Sequence, residues 1–378
     1  MESEVIIIGG GVIGLAIARS LHQKGVRKIK ILERGTIGKE SSFAAAGMLA
    51  PQSETDQVDD FFRLCIESNE MYPRFANDLY DETGIDVELD QSGTLYLAFK
   101  RADIAQIEKR FEFQKKAGLK IERMTAREIR RSEPFVSPDV LEGLFFENDW
   151  QVENRKLLAA LERFAKLNQI EIVENEEVEK INFTEPICVE SKSRKHYAGH
   201  VVAATGAWTS FIKTSAEKMP DVKPIRGQMI SFHTAKRLFS KVIYSPRGYI
   251  VPRKLGRIVA GATVEDAGFD KSTTSGGMEQ LLQNAHEIVP SLAGLAVDET
   301  WAGLRPFAAN GFPVLGSFPQ CGNLHVATAH YRNGILLAPL TAELIANKVV
   351  SNSHSKYLEI FGLKAAENSV KSAAGTEV

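Results

Sequence analysis

The chain has 378 residues, of which 44% are hydrophobic and 25% are charged. This length exceeds that of a typical single domain, so it predicts two domains, and the apolar content is high enough for a core in each. The formal net charge is −2 and the lysines and arginines are dispersed, which argues against a nucleic-acid groove or an anionic membrane surface and favours small-molecule partners.

Cysteine and histidine usage argues against two further kinds of site. Cys65, Cys188 and Cys321 are odd in number and far apart, so they suggest neither a disulfide framework nor a metal motif. His325 and His330 lie at an odd spacing in a strand-like segment, which sends their side chains to opposite faces and favours structural roles. We predict no metal site and reduced, buried thiols.

The chain begins with an apolar segment that a signal peptide would also show. It has no basic n-region and no A-x-A cleavage site, however, and glycines interrupt it. Elsewhere no segment reaches ~18 uninterrupted apolar residues. These features predict a soluble, cytoplasmic protein.

The same N-terminal segment contains the strongest functional signal. Residues 5–8 predict a buried strand, and residues 12–24 have the apolar spacing of a helix. Between them, Gly9, Gly11 and Gly14 would allow a tight turn, close approach of a pyrophosphate and close packing of the helix. The N–H groups at the start of the helix would then bind the phosphates.

A second apolar run, residues 28–32, ends at Glu33. A carboxylate at this place can accept hydrogen bonds from both ribose hydroxyls and disfavours a 2′-phosphate. Strand, glycines, helix and acid together predict a dinucleotide site, and the motif alone leaves FAD and NAD open. The simpler alternative is a glycine-rich turn between a core strand and a core helix.

Segments of two kinds alternate along the rest of the chain. One kind, a helix and three apolar runs, would extend the first sheet: residues 155–167, 170–173, 178–181 and 200–204. The other kind contains charged helices, alternating strands and an amphipathic helix: residues 86–145, 224–265 and 275–289. The second domain is therefore predicted to be discontinuous.

Three separated parts of the chain together resemble one family. Besides the N-terminal segment, they are the small-residue run 41–49 (SSFAAAGML) and the paired motifs 301–306 (WAGLRP) and 330–339 (HYRNGILLAP). They are similar to the glycine oxidases of thiamine biosynthesis, within the D-amino acid oxidase superfamily of flavoenzymes. The resemblance covers roughly residues 3–360, and its C-terminal motifs are more specific than the N-terminal motif, which many FAD and NAD proteins share.

The resemblance implies an α/β fold class, with a Rossmann-like FAD-binding domain and a discontinuous α+β substrate domain built on a mainly antiparallel sheet. The FAD-binding domain would comprise residues 1–85, 146–223 and 301–363, and the substrate domain residues 86–145 and 224–300. Residues 364–378 are small and polar and predict a disordered tail.

The resemblance also implies noncovalently bound FAD, because no cysteine lies in residues 301–309, where covalent-flavin sarcosine oxidases carry theirs. The residues expected at the cofactor are Gly9, Gly11, Val12, Ile13, Gly14, Glu33, Arg34, Ser41, Ser42, Ala45, Ala46, Gly47, Met48, Val178 through its backbone, Thr205, Gly206, Trp208, His330, Arg332, Asn333, Gly334, Ile335 and Leu336.

Two of these segments have a physical reason to meet a flavin. Residues 44–47 have almost no side chain, so their backbone N–H groups can approach the cofactor closely. A helix that begins at Asn333 and Gly334 would aim its positive end at the flavin, where negative charge develops on reduction.

The implied reaction is oxidative deamination of glycine and small amines such as sarcosine and D-alanine, by hydride transfer to flavin N5 with O2 as acceptor. Arg305 would bind the substrate carboxylate bidentately, and Tyr249 would add a second hydrogen bond. By position alone, Arg305 would equally fit a surface ion pair. Hydride transfer requires position rather than a strong base, so no residue is assigned as catalytic base. Family members are often tetramers.

Three more residues are expected in the substrate pocket. Arg332 lies in the C-terminal motif, Val264 stands where related glycine oxidases can carry a methionine, and Arg247 lies close to Tyr249 in sequence. The smaller side chain and the added positive charge would favour larger or dianionic amines.

Two alternatives remain open at this point. A D-amino acid or sarcosine-type dehydrogenase would pass the electrons to a quinone or a protein instead of O2, although the sequence shows no basic amphipathic anchor for a membrane quinone. A noncatalytic flavin-binding protein would use Arg305 as an ordinary salt bridge.

Overall fold

The computed structural model describes residues 3–55 and 57–364. Its strands are β1 (Ser3–Ile8), β2 (Ile29–Leu32), β3 (Met48–Leu49), β4 (Thr94–Ala98), β5 (Glu122–Thr125), β6 (Glu142–Phe146), β7 (Trp150–Gln151), β8 (Glu171–Val173), β9 (Val178–Asn182), β10 (Ile187–Ser191), β11 (Lys195–Ala203), β12 (Lys213–Thr214), β13 (Val222–His233), β14 (Val242–Ser245), β15 (Gly248–Pro252), β16 (Arg257–Gly261), β17 (Val297–Ala308), β18 (Val314–Phe318) and β19 (Cys321–Thr328).

Its α-helices are α1 (Val12–Gln23), α2 (Ser41–Ala44), α3 (Asp60–Glu70), α4 (Tyr72–Thr83), α5 (Arg101–Lys116), α6 (Ala126–Ser132), α7 (Asn154–Leu167), α8 (Ser275–Ile288), α9 (Gly334–Ser351) and α10 (Lys356–Ile360). Two 3-10 helices span Gly206–Phe211 and Pro290–Gly294. The predicted tail lies outside the described residues, except for Lys364.

The first sheet combines a set of parallel strands with antiparallel pairs that involve β9, β10 and β18. Its order is β12-β9-β10-β11-β1-β2-β8, and β19 pairs with both β11 and β18. The central strands β1, β2, β8, β11 and β19 run parallel. Strand β2 is buried along its whole length, and β1 is buried except at Glu4, which accounts for their nearly continuous apolar sequences.

Helices α1, α7 and α9 pack on one face of this sheet and share a core with it, through residues such as Leu15, Leu161 and Ile345. Among residues 3–55 and 57–364, α9 alone is long and apolar enough to cross a membrane. The protein itself buries 61% of it, which is the environment of a core helix.

The second sheet has the order β17-β13-β16-β15-β14-β4-β6-β5. Its pairs are antiparallel except for β14 with β4, and α8 packs on it through Leu281, Ala285 and Ile288. Strands β13 and β17 pair from Val222 opposite Ala308 onwards, and these two residues belong to a core of the first sheet. The two long strands therefore connect the sheets.

This architecture confirms the predicted fold class, with a Rossmann-like sheet and a mainly antiparallel second sheet. The second sheet takes its strands from residues 94–146 and 222–308. The domain boundaries predicted from the sequence stay predictions.

Two histidines are buried: His325 lies on β19 of the first sheet, and His330 lies just beyond the end of this strand. His325 on β19 stacks on His200 of β11, with ring centroids 5.5 Å apart, and its Nδ1 lies 2.8 Å from the Ser317 hydroxyl. His330 Nε2 lies 3.1 Å from the Thr341 hydroxyl. Burial lowers the pKa of His325 and of His330 to about 3.

Acidification is therefore expected to destabilise the fold. The unfolded chain binds protons at both imidazoles near pH 6.5, whereas the folded chain resists protonation until about pH 3, so their contribution to stability is present above pH 6.5 and lost as the pH falls towards 3. Each group contributes a slope of up to ~1.4 kcal/mol per pH unit.

Urea unfolding at several pH values between 7 and 4 measures this slope. We expect His325→Gln to reduce the slope of the unfolding free energy with pH by an amount that corresponds to about one bound proton. The same change at the exposed His233 should leave the slope as in the wild type. Equal slopes in all three proteins would contradict the role of His325.

Candidate active site

One large cavity extends from the glycine turn after β1 to the second sheet. It encloses about 1690 Å³ of empty space, a figure that includes solvent at its open mouth, and residues of both sheets line it. The space suits an extended ligand with a second, smaller molecule beside it.

The three glycines of the turn serve different purposes. A Cβ on Gly9 would lie 2.4 Å from the Ala204 carbonyl oxygen, and a Cβ on Gly14 would lie 2.0 Å from the Gly9 carbonyl oxygen. At these two positions any side chain would clash with a neighbouring backbone carbonyl, so glycine allows the close packing of the turn. A Cβ on Gly11 would meet only the Ser42 hydroxyl, at 3.3 Å, and Gly11 lines the cavity. The open space beside Gly11 is therefore the part of the turn that a pyrophosphate fits.

The start of α1 offers its positive end to the same space. Val12 and Ile13 line the cavity, and the first turn contains no acidic residue that would neutralise the helix dipole. The Val12 N–H donates to the Ser42 hydroxyl at 3.0 Å, which ties the helix to the small-residue run.

The far end of the cavity is acidic. Glu33 accepts the Gly10 N–H at 2.8 Å and the Gly35 N–H at 2.9 Å, so its carboxylate is held in place while each oxygen keeps a lone pair for a ribose hydroxyl. Glu176 also lines the cavity. Burial favours its protonation, but hydrogen bonds from Ser191, Ser193 and His196 lower the pKa of Glu176 to about 2.

Two buried carboxylates at this end disfavour a phosphorylated ribose. Nearby, the Arg34 guanidinium stacks over the Trp208 ring at 4.2 Å. Glu176 was not predicted as a site residue from the sequence, because no local pattern distinguishes this acidic residue, two positions before Val178, from acidic residues on the surface.

The small-residue run is held by side chains of the second sheet and of the segments that pack on it. Trp301 Nε1 donates to the Ala44 carbonyl at 3.0 Å, and Arg253 Nη2 donates to the Ala46 carbonyl at 2.7 Å. Gly47 has a positive φ of 70°, and a Cβ there would lie 2.1 Å from the Val152 carbonyl oxygen. The run presents backbone to the cavity because no larger side chain fits behind it.

The C-terminal motif forms the wall where α9 begins. Asn333, Gly334 and Ile335 line the cavity, and the first turn of α9 contains no acidic residue. Ahead of it, Ala329 and Tyr331 have positive φ values of 58° and 47°. A second positive helix end therefore faces the cavity.

Arg305 and Tyr249 lie in the cavity on the side of the second sheet. The Arg305 guanidinium lies over Gly227, where a Cβ would be 2.2 Å from Nη2, so glycine makes room for it. The Tyr249 hydroxyl lies 3.4 Å from Met229 Sδ. Burial raises the pKa of Tyr249, although the neighbouring Arg305 and Arg332 act in the opposite direction, so the phenol stays neutral and can donate a hydrogen bond.

A second cation in the cavity is paired with an acid. Arg332 Nη2 donates to Glu54 Oε1 at 2.9 Å and to the Tyr244 hydroxyl at 2.8 Å, and the Glu54 carboxylate raises the pKa of Arg332. Glu54 lines the cavity and was missed in the sequence, because it follows the small-residue run in an irregular segment and pairs with a residue 278 positions away.

The cavity wall contains most of the residues predicted for the site: Gly9, Gly11, Val12, Ile13, Glu33, Arg34, Ser41, Ser42, Ala45, Ala46, Gly47, Met48, Val178, Thr205, Gly206, Trp208, Tyr249, Arg305, His330, Arg332, Asn333, Gly334 and Ile335.

Four predicted residues lie elsewhere. Gly14 and Leu336 are buried in the fold, Gly14 against the turn and Leu336 in the helix core. Val264 is 61% exposed, since its neighbour Thr263 points into the protein. Arg247 pairs with Asp103 at 2.8 Å and with Glu287 at 2.7 Å.

The predicted pocket roles of Val264 and Arg247 are therefore corrected. Arg247 is neutralised by two acids from α5 and α8, which sequence proximity to Tyr249 could not show. The second cation on the Arg305 side of the cavity is Arg332.

The chain matches the model of the FAD dependent oxidoreductase family over residues 4–348. It belongs to this family. It is 31% identical to a glycine oxidase of Bacillus subtilis (strain 168) over 366 residues, covering 96% of this chain and 98% of the relative. It is 33% identical to the bifunctional protein ThiO/ThiG of Trichormus variabilis, covering 96% of this chain and 55% of that protein.

Solved structures agree with these relatives. The crystal structure of glycine oxidase from Geobacillus kaustophilus superposes with a TM-score of 0.90 at 31% identity, covering 95% of this chain and 98% of the other. Iminodiacetate oxidase from Chelativorans sp. BNC1 superposes with a TM-score of 0.82 at 26% identity, with the same coverage. The predicted resemblance to glycine oxidases, the oxidoreductase class and FAD as cofactor are confirmed.

Substitutions in the glycine turn separate cofactor binding from folding. Gly11→Val fills the open space beside the turn, so we expect a folded protein without FAD. Gly14→Val places a Cβ against the Gly9 carbonyl, so we expect loss of folded protein.

Flavin absorbance and thermal unfolding of the purified proteins distinguish these results. The wild type is expected to be yellow and to release FAD on acid precipitation. A yellow Gly11→Val protein would place the pyrophosphate elsewhere.

Proposed function

We propose that this chain oxidatively deaminates glycine and other small primary or secondary amines, sarcosine and D-alanine among them. The products would be glyoxylate or another 2-oxo acid, ammonia or an amine, and H2O2 from O2. The observation that carries this proposal is the position of Arg305 and Tyr249, which line the same cavity as the cofactor-binding turn and the start of α9. The glycine oxidases among its relatives support it.

Arg305 supplies the anchor for a carboxylate. Its guanidinium donates through Nη1 to the Thr263 carbonyl at 3.1 Å, which fixes the plane of the fork while other N–H groups of the guanidinium can bind a carboxylate. The neutral Tyr249 hydroxyl can add a second donor. Both contacts orient the α-carbon without acting on its hydrogen.

When bound, FAD supplies a two-electron acceptor and gains negative charge as it is reduced. The first turn of α9 offers fixed partial positive charge at the cavity wall, where such charge is stabilised without reorganisation. No residue is assigned as a base, because a substrate amine can lose its proton to water before the transfer.

A role in thiamine thiazole biosynthesis and a cytoplasmic location are parts of the same proposal. The first is supported by the ThiO/ThiG proteins among the relatives, and the second by the three cysteines, for which the structure describes no disulfide. A homotetramer stays a prediction from the family resemblance.

Anaerobic addition of glycine tests the proposal directly. We expect bleaching of the flavin, followed by recovery of its colour and release of H2O2 when air is admitted. Bleaching without reoxidation by air would indicate a dehydrogenase with another acceptor, and no bleaching by any small amine would indicate a flavin-binding protein without this activity.

Arg305→Ala removes the anchor. We expect a rise in KM for glycine with FAD still bound, at a cost of ~2–5 kcal/mol, typical of a lost buried charge pair. Arg305→Lys would recover only part of the affinity for glycine, because lysine lacks the planar guanidinium with its paired donors. Arg63→Ala, at an exposed ion pair on α3, is the control, and unchanged glycine kinetics in Arg305→Ala would remove Arg305 from the site.

Glu54→Gln removes the acid that neutralises Arg332. An unpaired cation in the cavity would attract a second carboxylate, and a unit charge ~8 Å away at an effective dielectric of ~20 contributes about 2 kcal/mol, or roughly 30-fold. We therefore expect kcat/KM for iminodiacetate to rise relative to glycine by this order.

Tyr244→Phe is the matched control, because it removes the other hydrogen bond to Arg332 without changing the charge. Equal iminodiacetate-to-glycine ratios in Glu54→Gln and the wild type would show that Arg332 is not accessible to the substrate.

A further inference from the structure

The guanidinium of Arg305 is held by two carbonyl groups, one on β13 and one in the segment after β16. Nη1 donates to the Thr263 carbonyl at 3.1 Å and, at a longer 3.4 Å, to the Arg226 carbonyl. Arg226 lies on β13, and Thr263 lies just beyond the end of β16. The orientation of the fork therefore depends on how residues 263–265 lie against β13.

This segment is not a regular strand of the sheet. Its backbone is joined to β13 by a short bridge, in which the Arg226 N–H donates to the Glu265 carbonyl at 2.8 Å and the Glu265 N–H donates to the Arg226 carbonyl at 3.0 Å. The Thr263 N–H lies at 3.4 Å from the Gln228 carbonyl, a long contact. Bonds between backbone atoms therefore tie the segment weakly at Thr263, although the Thr263 hydroxyl also accepts the Gln228 N–H at 2.8 Å.

The Glu265 side chain makes the stronger connection. Its Oε2 accepts from Arg226 Nη2 at 2.6 Å, and its Oε1 accepts from Gln228 Nε2 at 2.8 Å and from the Thr263 hydroxyl. Charge-assisted bonds of this kind are stronger than neutral ones. One carboxylate thus joins Thr263 and Arg226, whose carbonyls hold the Arg305 guanidinium, and also binds Gln228 on the same strand as Arg226.

The partners of Glu265 are buried, with Gln228 0% and Thr263 5% exposed. Loss of the carboxylate would remove the acceptor of the Thr263 hydroxyl and one of the two acceptors of Gln228 Nε2, the other being the Thr274 hydroxyl at 3.1 Å. This favours a rearrangement of the segment over retention of the present geometry. Glu265 itself does not line the cavity, so it can act on a substrate only through Arg305.

We infer that Glu265 is a positioning residue for substrate recognition, which holds the Thr263 and Arg226 carbonyls so that the Arg305 fork faces the substrate carboxylate. This inference rests on the proposed function, in which Arg305 binds that carboxylate.

The holoenzyme variant Glu265→Ala tests it. We expect KM for glycine, and the dissociation constant of the carboxylate ligand acetate followed by flavin absorbance, to rise about tenfold or more, with kcat and bound FAD little changed. Glu265→Gln keeps the shape without the charge and should give a smaller rise in the same direction, which keeps the test valid if the alanine variant does not fold.

Asp270→Asn is the matched control. Asp270 accepts from Arg226 Nη1 at 2.7 Å, so it pairs with the same arginine, but no hydrogen bond or ion pair of its side chain in the described structure involves residues 263–265. We expect its KM for glycine to stay within about twofold of the wild type.

A double substitution separates positioning from general stability. In the Arg305→Ala background, Glu265→Ala should reduce kcat/KM by no more than about twofold further, because its only route to the substrate is already removed. An additive loss, an unchanged KM in both Glu265 variants, or a loss confined to kcat and FAD content would overturn the inference.

The results also separate this inference from the function on which it rests. A wild type that does not oxidise glycine, or an Arg305→Ala variant with unchanged KM, would refute the proposed function. A raised KM in Arg305→Ala with unchanged KM in the Glu265 variants would refute only the role of Glu265.

Discussion

The two helices that begin at the cavity, α1 and α9, decide where charge can be placed in this protein. They pack against each other on one face of the first sheet, and the first turns of both face the same space. Their positive ends, without acidic residues in the first turns, favour negative charge at two points of the cavity. The close contact of Gly14 with the Gly9 carbonyl is what allows α1 to begin at this place.

Around these two points, the charged side chains divide the cavity into two ends. Glu33 and Glu176 make the end near β2 and β9 acidic, whereas Arg305 and Arg332 make the end near the second sheet basic. These two cations differ, because Glu54 neutralises Arg332, whereas Arg305 donates to the Thr263 and Arg226 carbonyls. A ligand with one carboxylate at this end of the cavity therefore has one cation available to it.

The second sheet supplies the basic end of the cavity because β13 and β17 extend from a core of the first sheet into the second. Gly227 on β13 and Arg305 on β17 lie near each other on these strands, so the room for the guanidinium and the guanidinium itself come from paired strands. The segment after β16 then holds the Arg305 guanidinium through the Thr263 carbonyl. In the proposed function, recognition of the substrate carboxylate by Arg305 is in this way coupled to the packing between the two sheets.

Local residue patterns were enough to predict the strand, glycines, helix and acid in order around Gly11 and Glu33, and the C-terminal motif that contains Arg332. These are short-range patterns, because the spacing of apolar residues and the lack of a Cβ act within a few residues of chain. The contacts of the folded chain were needed to show that Glu54 pairs with Arg332 and that Asp103 pairs with Arg247 outside the cavity. They also show that the Val264 side chain is exposed to solvent. Those outcomes depend on hydrogen bonds and ion pairs between residues tens to hundreds of positions apart, and no periodicity in the chain records which distant partner a side chain meets.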